Sequence, residues 1–185
     1  MNAMKRGRWF LAVAILAAGI HSAFGADNPA APKSLPRFHQ VAPGVYRGGQ
    51  PKEGGYEWLK QRGVKTIINL RDERDERKHV ESLGFNYVYL PMDARDEISP
   101  SAIQTFLETV SDPARQPVFV HCHRGADRTG FMVGVYRIAK QGWTPEQAYD
   151  EARDIGMRWW YRGLKRQLFE FAAKVHPDTS RASVK

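Results

Sequence analysis

Cysteine is nearly absent from this chain, which has a single cysteine in 185 residues. One thiol excludes an intramolecular disulfide, a four-cysteine zinc site and an iron–sulfur cluster. The 42% hydrophobic content, with 16 glycines and 11 prolines, excludes a disordered or collagen-like protein. The length suits one domain large enough to bury a core. Cys122 is therefore either an inert core residue or a nucleophile.

The sequence also lacks an apolar run of the roughly 20 residues that a membrane-spanning helix needs. Its N-terminus instead has three basic residues between positions 5 and 8, an apolar segment over residues 9–20, and small residues near Gly25. This order predicts a secretory signal peptide over residues 1–25, cleaved after Gly25. The chain is then expected to be exported, to the periplasm in a bacterium. Only an uncleaved segment would attach it to a membrane.

Composition divides the remaining chain into three parts. Residues 26–36 are rich in proline and alanine and are predicted to form a flexible tether, residues 37–178 form the domain, and residues 179–185 form a disordered tail. Residues 1–25 hold three basic residues and no acidic residue, so their removal lowers the net charge from +8 to +5. A moderately basic domain suits an anionic substrate. Nucleic acid is not an expected partner of an exported chain.

Strand patterns alternate with helix patterns along the domain. Strands are predicted twice within residues 38–47 and over residues 64–70, 85–90 and 117–121. Helices are predicted over residues 53–61, 71–83, 99–110, 129–141 and 164–175, with another starting at Pro145. The run of mixed charge that begins at Arg71 is interpreted as a solvated helix face. The alternation predicts a single-domain α/β fold with a central, mostly parallel sheet of four to five strands, flanked by helices.

Residues 120–130 carry the strongest chemical signal. A predicted strand ends near Cys122, a helix begins near Thr129, and five residues separate Cys122 from Arg128. A loop between a strand and a helix N-terminus can turn its backbone N–H groups inward to hold an anion, and the helix dipole adds positive potential. Arg128 can bind two phosphate oxygens through its planar guanidinium. The same surroundings stabilise a cysteine thiolate, so the loop joins a phosphate site to a nucleophile.

The nine residues 121–129 read HCHRGADRT. They resemble the His-Cys-x5-Arg-Thr signature of the cysteine-dependent protein tyrosine and dual-specificity phosphatases. Residues 45–51, 65–71 and 136–137 are similar to bacterial dual-specificity members, above all exported, periplasmic ones. The likeness covers about residues 38–175. It implies the phosphatase fold, with the phosphate-binding loop between a strand and a helix N-terminus.

The resemblance implies a role for each matching residue. Cys122 is the expected nucleophile that forms a cysteinyl-phosphate intermediate, Arg128 binds the phosphoryl oxygens, and the Thr129 hydroxyl hydrogen-bonds the sulfur. His121 is expected to support the loop. The expected substrate-binding residues are His123, Arg124, Gly125, Ala126, Asp127 and Arg128. The resemblance implies no metal and no cofactor, and its substrate is a phosphorylated protein.

The mechanism also needs a general acid that protonates the leaving oxygen. The family carries an aspartate for this task on a loop before the cysteine, and Asp93 and Asp96 lie 29 and 26 residues before Cys122. Asp93 is preferred because it lies closer to the end of the preceding strand, and Asp96 is the alternative. Asp72 and Asp75 are excluded because they are too far upstream and fall in the charged helix.

Three functions remain open from the sequence. The first is hydrolysis of phosphotyrosine in proteins, with phosphoserine and phosphothreonine as further substrates. The second is the same chemistry on a phosphorylated lipid, sugar or inositol, which the carboxylate of Asp127 in the loop disfavours. The third is a non-catalytic module that binds phosphate in an interaction. The presence of a nucleophile, an arginine and candidate acids argues against this module.

Overall fold

The structure is a computed structural model that describes residues 32–177. The predicted signal peptide and the predicted tail lie outside the described residues. The described elements follow in the order β1 (His39–Ala42), β2 (Val45–Gly49), α1 (Gly55–Gln61), β3 (Thr66–Arg71), α2 (Arg77–Ser82), β4 (Asn86–Met92), α3 (Pro100–Ser111), β5 (Val118–Cys122), α4 (Asp127–Gln141), α5 (Pro145–Asp154) and α6 (Arg162–Val175). None of these helices is both long and apolar enough to cross a membrane.

The five strands form one sheet in the order β1-β2-β5-β3-β4. β1 pairs antiparallel with β2, and all other neighbours are parallel. The predicted mostly parallel α/β fold is therefore confirmed. Parallel strands bring their carboxyl ends to one edge of the sheet, where ligands bind in such folds. Because β5 lies between β2 and β3, Cys122 at its end lies near the middle of that edge.

Successive side chains of β5 point to opposite faces of the sheet, and each face packs against a separate core. Val118, Val120 and Cys122 belong to the core that β5 shares with helices α3 to α6. Phe119 belongs to the core on the opposite face, with residues of α1 and α2. His121 stacks on Phe119 with ring centroids 5.8 Å apart, so it also lies on this second face. His121 and Cys122 are adjacent in the chain but point to opposite sides of the sheet.

Local sequence signals set the starts of two helices. The Ser99 side chain accepts a hydrogen bond from Ala102 N at the start of α3, as expected for a serine N-cap. Thr144 and Gln147 form a capping box at the start of α5, where a helix was predicted to start. The two predicted helix starts are confirmed because capping depends only on residues within one helical turn.

The predicted tether extends too far into the domain. Residues 32–36 fall in the predicted tether, but Leu35 is buried in the core beside α1. Lys52 N donates to Ser34 O at 2.9 Å, and Gly49 N donates to Pro36 O at 2.7 Å. The predicted domain boundary at residue 37 is therefore wrong. A leucine in a proline-rich stretch gains stability by burial once a partner surface lies beside it.

The helix predicted over residues 71–83 is also wrong in its first half. Arg71 closes β3, residues 72–76 form a loop, and the helix covers only Arg77–Ser82. Glu76 is not on a solvated face, since it is buried and accepts hydrogen bonds from Tyr56 Oη and Gln50 Nε2, each at 2.7 Å. Mixed charge is compatible with an exposed helix, but it carries no information about partners from distant elements.

Candidate active site

A cavity of about 270 Å³ lies at the carboxyl edge of the sheet. It is lined by loops that follow β3, β4 and β5, by the first turn of α4, and by the connection between α5 and α6. The lining residues are Asp72, Glu73, Asp93, Ala94, Arg95, Cys122, His123, Arg124, Asp127, Arg128, Arg158 and Tyr161. The fold therefore brings the predicted nucleophile, the predicted arginine and one candidate acid to a single cavity.

The loop after β5 has the geometry expected of an anion site. Its last residue before α4 is Ala126, and α4 begins at Asp127, two residues earlier than predicted. Gly125 has a φ of 72°, in the left-handed region that favours glycine. Its N–H donates to Cys122 Sγ at 3.3 Å. This N–H and the N-terminus of α4 both direct positive potential towards the sulfur.

Arg128 is held at the cavity wall by two carboxylates. Its Nη1 contacts Asp72 Oδ1, and it donates to Glu73 Oε2 at 3.1 Å and to Met92 O at 3.1 Å. Burial opposes the charge of Arg128, but its hydrogen bond to Glu73 and the nearby charges of Cys122, Glu73 and Asp72 outweigh burial and raise its pKa. The guanidinium is thus fixed and charged where a phosphoryl group would bind.

Sequence reasoning excluded Asp72 as the general acid and placed Glu73 on a solvated helix face, yet both residues line the cavity. They directly follow β3, which pairs in parallel with β5. Residues after the carboxyl ends of neighbouring parallel strands meet at the same edge. The position of Asp72 after a buried strand was the signal that could have identified it.

The two candidate acids differ in position. Asp93 lines the cavity, is partly buried, and its Oδ1 accepts a hydrogen bond from Arg95 N at 2.9 Å. Asp96 is exposed and is not a lining residue, and its backbone oxygen accepts from Gln167 Nε2 at 3.1 Å. The structure therefore places Asp93 near the predicted nucleophile and leaves Asp96 outside the cavity.

The other residues of the loop divide into two groups. His123 and Arg124 line the cavity, as expected for substrate-binding residues. Gly125 and Ala126 are buried and do not line it, so only their backbone can serve the phosphate. Asp127 lines the cavity, but its carboxylate is already bound by another residue.

That partner of Asp127 is Arg158, from the connection between α5 and α6. Arg158 N donates to Asp127 Oδ1 at 2.8 Å and Arg158 Nη2 donates to Asp127 Oδ2 at 2.9 Å. Arg158 also donates to Tyr161 Oη at 2.8 Å. The neighbouring Trp159 and Trp160 are 59% and 54% exposed. Sequence reasoning missed this wall, since Arg158 follows Cys122 by more than a whole helix.

The expected bond from Thr129 to the sulfur does not form. Thr129 is fully buried, and its Oγ1 has no hydrogen-bond partner within residues 32–177. The sulfur accepts from Gly125 N instead.

His121 is fully buried on the face of the sheet opposite Cys122. Its Nε2 lies 3.0 Å from Glu76 Oε1. Burial alone would raise the pKa of Glu76, but the neighbouring His121 ring and the hydrogen bonds from Tyr56 and Gln50 lower it to about 2. Glu76 is thus an ionised carboxylate that anchors His121 from behind the loop. Sequence reasoning placed it on a solvated helix.

Metal ligands were not expected at this site. Among residues 32–177, no group of three or more His, Cys, Asp or Glu side chains is placed to hold a metal ion. Asp72 and Glu73 are close together, but both contact Arg128. The groups of the cavity that can bind an anion are arginine side chains and backbone N–H groups.

Comparison with known proteins identifies the family. The family described as "DSP-PTPase phosphatase fused to NAD+ Kinase" matches residues 36–158. The chain belongs to this dual-specificity phosphatase family. The chain is 30% identical to OCA1 of Mycosarcoma maydis over 145 residues, which are 73% of this chain and 89% of OCA1. It is 28% identical to the dual specificity protein phosphatase TpbA of Pseudomonas aeruginosa strain UCBPP-PA14 over 120 residues, 64% of this chain and 54% of TpbA.

A solved structure supports the same assignment. The chain superposes with a TM-score of 0.62 on the core catalytic domain of the PP-IP phosphatase SIW14 from S. cerevisiae, at 25% identity, covering 75% of this chain and 92% of that one. The chain spans about half the length of TpbA and 10% of the length of a related chloroplastic NAD kinase from Oryza sativa.

Proposed function

We propose that this phosphatase hydrolyses phosphate monoesters through a cysteinyl-phosphate intermediate on Cys122, without a metal ion. The observation that carries the proposal is the placement of Cys122 and Arg128 in one cavity at the N-terminus of α4. The Gly125 N–H donates a hydrogen bond to the sulfur that would attack phosphorus. Arg128, held in place by Asp72 and Glu73, is oriented for phosphoryl oxygens.

The reaction takes place in two displacements. The Cys122 thiolate attacks phosphorus, the bond to the ester oxygen breaks, and Asp93 protonates the leaving oxygen. In the second step water attacks phosphorus, Asp93 takes a proton from this water, and the sulfur–phosphorus bond breaks to release inorganic phosphate. Arg128 and the loop N–H groups stabilise the negative charge that develops on the phosphoryl oxygens.

For the substrate, we infer phosphotyrosine in a protein. The charged residues that line the cavity are balanced, with four acidic residues (Asp72, Glu73, Asp93, Asp127) and four arginines (Arg95, Arg124, Arg128, Arg158). This balance favours a substrate with a single phosphate over a polyanion. The cavity of about 270 Å³ is small for a ligand site, which accords with one phosphate and the ring next to it. The exposed Trp159 and Trp160 offer a surface for flanking residues of a polypeptide.

A second candidate substrate is a phosphorylated inositol. It is favoured by the relatives named inositol diphosphatase DSP3 of Arabidopsis thaliana and SIW14 of Saccharomyces cerevisiae, which are 28% and 30% identical to this chain. His123, Arg95 and Arg124 line the cavity and could contact further phosphates.

The chemistry is tested with C122S. We expect the variant to lose turnover of p-nitrophenyl phosphate while it still binds the phosphate analogue vanadate, because the serine hydroxyl is a weak nucleophile at neutral pH. EDTA should leave the wild-type rate unchanged. Wild-type turnover by C122S would contradict the mechanism.

The substrate is tested by comparing kcat/KM for a phosphotyrosyl peptide and for a diphosphoinositol polyphosphate. We expect the peptide to be preferred. W159A and W160A should raise KM for the peptide and leave p-nitrophenyl phosphate hydrolysis unchanged, because the small substrate does not reach beyond the cavity. A preference for the inositol substrate that both variants retain would support the second candidate.

A further inference from the structure

Arg47 of β2 is a fully buried arginine, with 1% of its surface exposed. Its Nη2 donates to Gly125 O at 2.9 Å. Within residues 32–177, its Nε and Nη1 have no hydrogen-bond partner, and no carboxylate forms an ion pair with it. A buried charge without a partner is costly, so its retention in the fold needs a reason.

The charged groups around Arg47 come from four elements. They are His39 of β1, Arg137 of α4, Glu151 of α5 and Cys122 of β5. The carboxylate of Glu151 is already bound by Arg137, whose Nε donates to Glu151 Oε2 at 3.1 Å. Among these groups, Cys122 is the acidic group that no arginine side chain of residues 32–177 reaches by a hydrogen bond, since its sulfur accepts from Gly125 N.

Arg47 stays protonated at neutral pH. Burial lowers its pKa to about 10, against the attraction of Glu151 and Cys122 and with a further reduction from Arg137. A value of about 10 lies well above neutrality. Arg47 therefore brings a permanent positive charge to the side of the sheet that carries Cys122.

Gly125 joins Arg47 to the sulfur. Its carbonyl accepts from Arg47, and its N–H donates to Cys122 Sγ at 3.3 Å. A Cβ atom on Gly125 would lie 2.3 Å from Gly48 C and from Gly49 N, so the loop packs directly on the backbone of β2 beyond Arg47. Movement of the Arg47 side chain would therefore shift Gly125, and with it the N–H that donates a hydrogen bond to the sulfur.

We propose that Arg47 is a positioning residue of the catalytic loop: it fixes Gly125 so that its N–H meets Cys122, and its buried charge stabilises the thiolate before substrate binds. This inference rests on the proposed function of Cys122 as nucleophile. In the cavity that Cys122 lines, Arg128 forms ion pairs with Asp72 and Glu73, and these carboxylates partly offset its positive charge. The charge of Arg47 has no such carboxylate partner among the described residues.

The test measures the rate of Cys122 alkylation by iodoacetamide as a function of pH, together with kcat and KM for p-nitrophenyl phosphate. R47Q keeps a donor for Gly125 O but removes the charge. We expect the midpoint pH of alkylation to rise by about 1 to 3 units, as for loss of a close charge. R47K keeps the charge, so its midpoint should stay near the wild-type value while kcat falls.

The matched control is R37M. Arg37 is exposed and donates to the adjacent loop carbonyl, Arg124 O, at 3.2 Å. Its loss removes a loop contact without removing a buried charge, so the alkylation midpoint should remain at the wild-type value.

Two outcomes would overturn the proposal. One is a wild-type alkylation midpoint in R47Q with a kcat no lower than that of R37M. The other is a rise of one unit or more in the alkylation midpoint pH of R47K, although this variant retains the charge. This second outcome decides the question if R47Q does not fold. Because alkylation needs no turnover, failure of the phosphatase reaction itself would appear separately, as wild-type protein that is alkylated but does not hydrolyse phosphate esters.

Discussion

At the scale of single residues, two aspartates three positions apart differ in what they can reach. Asp93 lines the cavity, and the exposed Asp96 does not. We expect D93N to lower kcat by about 10²-fold or more and to remove the limb of the pH profile that depends on the acid. The loss should be larger with phenyl phosphate than with p-nitrophenyl phosphate, because a poor leaving group depends more on protonation.

D96N is the matched control for this prediction and should leave both kcat and the pH profile unchanged. If D96N instead lost the acid-dependent limb while D93N kept it, the general acid would be Asp96 and the loop would have to move during the reaction.

Glu76 is a second residue whose role depends on burial. Its folded pKa of about 2 lies below its ordinary value of 4.5. Its ionised form therefore stabilises the fold fully above about pH 4.5, and this stabilisation is lost as the pH falls towards 2. At about 1.4 kcal/mol per unit, the contribution at neutral pH is roughly 3 kcal/mol.

We expect E76Q to lower the free energy of unfolding at neutral pH by roughly this amount and to flatten its dependence on acid pH. Urea denaturation across the acid range measures both effects. E81Q is the control, since Glu81 pairs with Arg77 on the surface with both side chains about half exposed. Equal losses in the two variants would show that the buried network contributes nothing special.

At the scale of elements, the catalytic loop depends on its contact with β2. Gly125 and Gly63 have nearly the same backbone, with φ of 72° and 73°. A Cβ on Gly63 would meet nothing within 4 Å, whereas on Gly125 it would lie 2.3 Å from the backbone of β2. G63A and G125A therefore share the strain of a left-handed alanine, and only G125A adds a clash with backbone that cannot yield.

We expect G63A to cost about 1 to 2 kcal/mol of stability and to keep its phosphatase activity. G125A should lose activity entirely and lose more stability than G63A. Thermal denaturation measures the loss of stability, and p-nitrophenyl phosphate hydrolysis measures the loss of activity. An active G125A would mean that the reaction does not require the close packing of the loop against β2.

The elements themselves were largely predictable from local patterns. The strands β3, β4 and β5 follow from apolar, β-branched runs, and α5 follows from its capping box. The first half of the predicted helix over residues 71–83 was not predictable, because its carboxylates form a loop that binds Arg128 and His121. Those partners lie on β5 and α4, far along the chain.

At the scale of the whole molecule, we propose that the phosphatase works outside the cytoplasm. The proposal rests on the signal-peptide pattern of residues 1–25. In a bacterial host, we expect the periplasmic fraction to contain a form whose mass corresponds to a start at Ala26. Replacement of Ala23 by arginine should block cleavage and leave the full-length mass. A full-length wild-type protein in the cytoplasmic fraction would contradict the proposal.

The sequence alone determined the loop that carries Cys122 and Arg128, since their spacing, the strand before them and the helix after them are all local. It narrowed the acid to two aspartates and preferred Asp93 for its position near the end of the preceding strand. Only the tertiary structure placed Asp93 in the cavity and added Arg47, which reaches Gly125 across 78 positions of the chain. These contacts form because parallel strands bring their carboxyl ends to one edge of the sheet, where residues that are distant in the sequence become neighbours. A local sequence pattern contains no information about such neighbours.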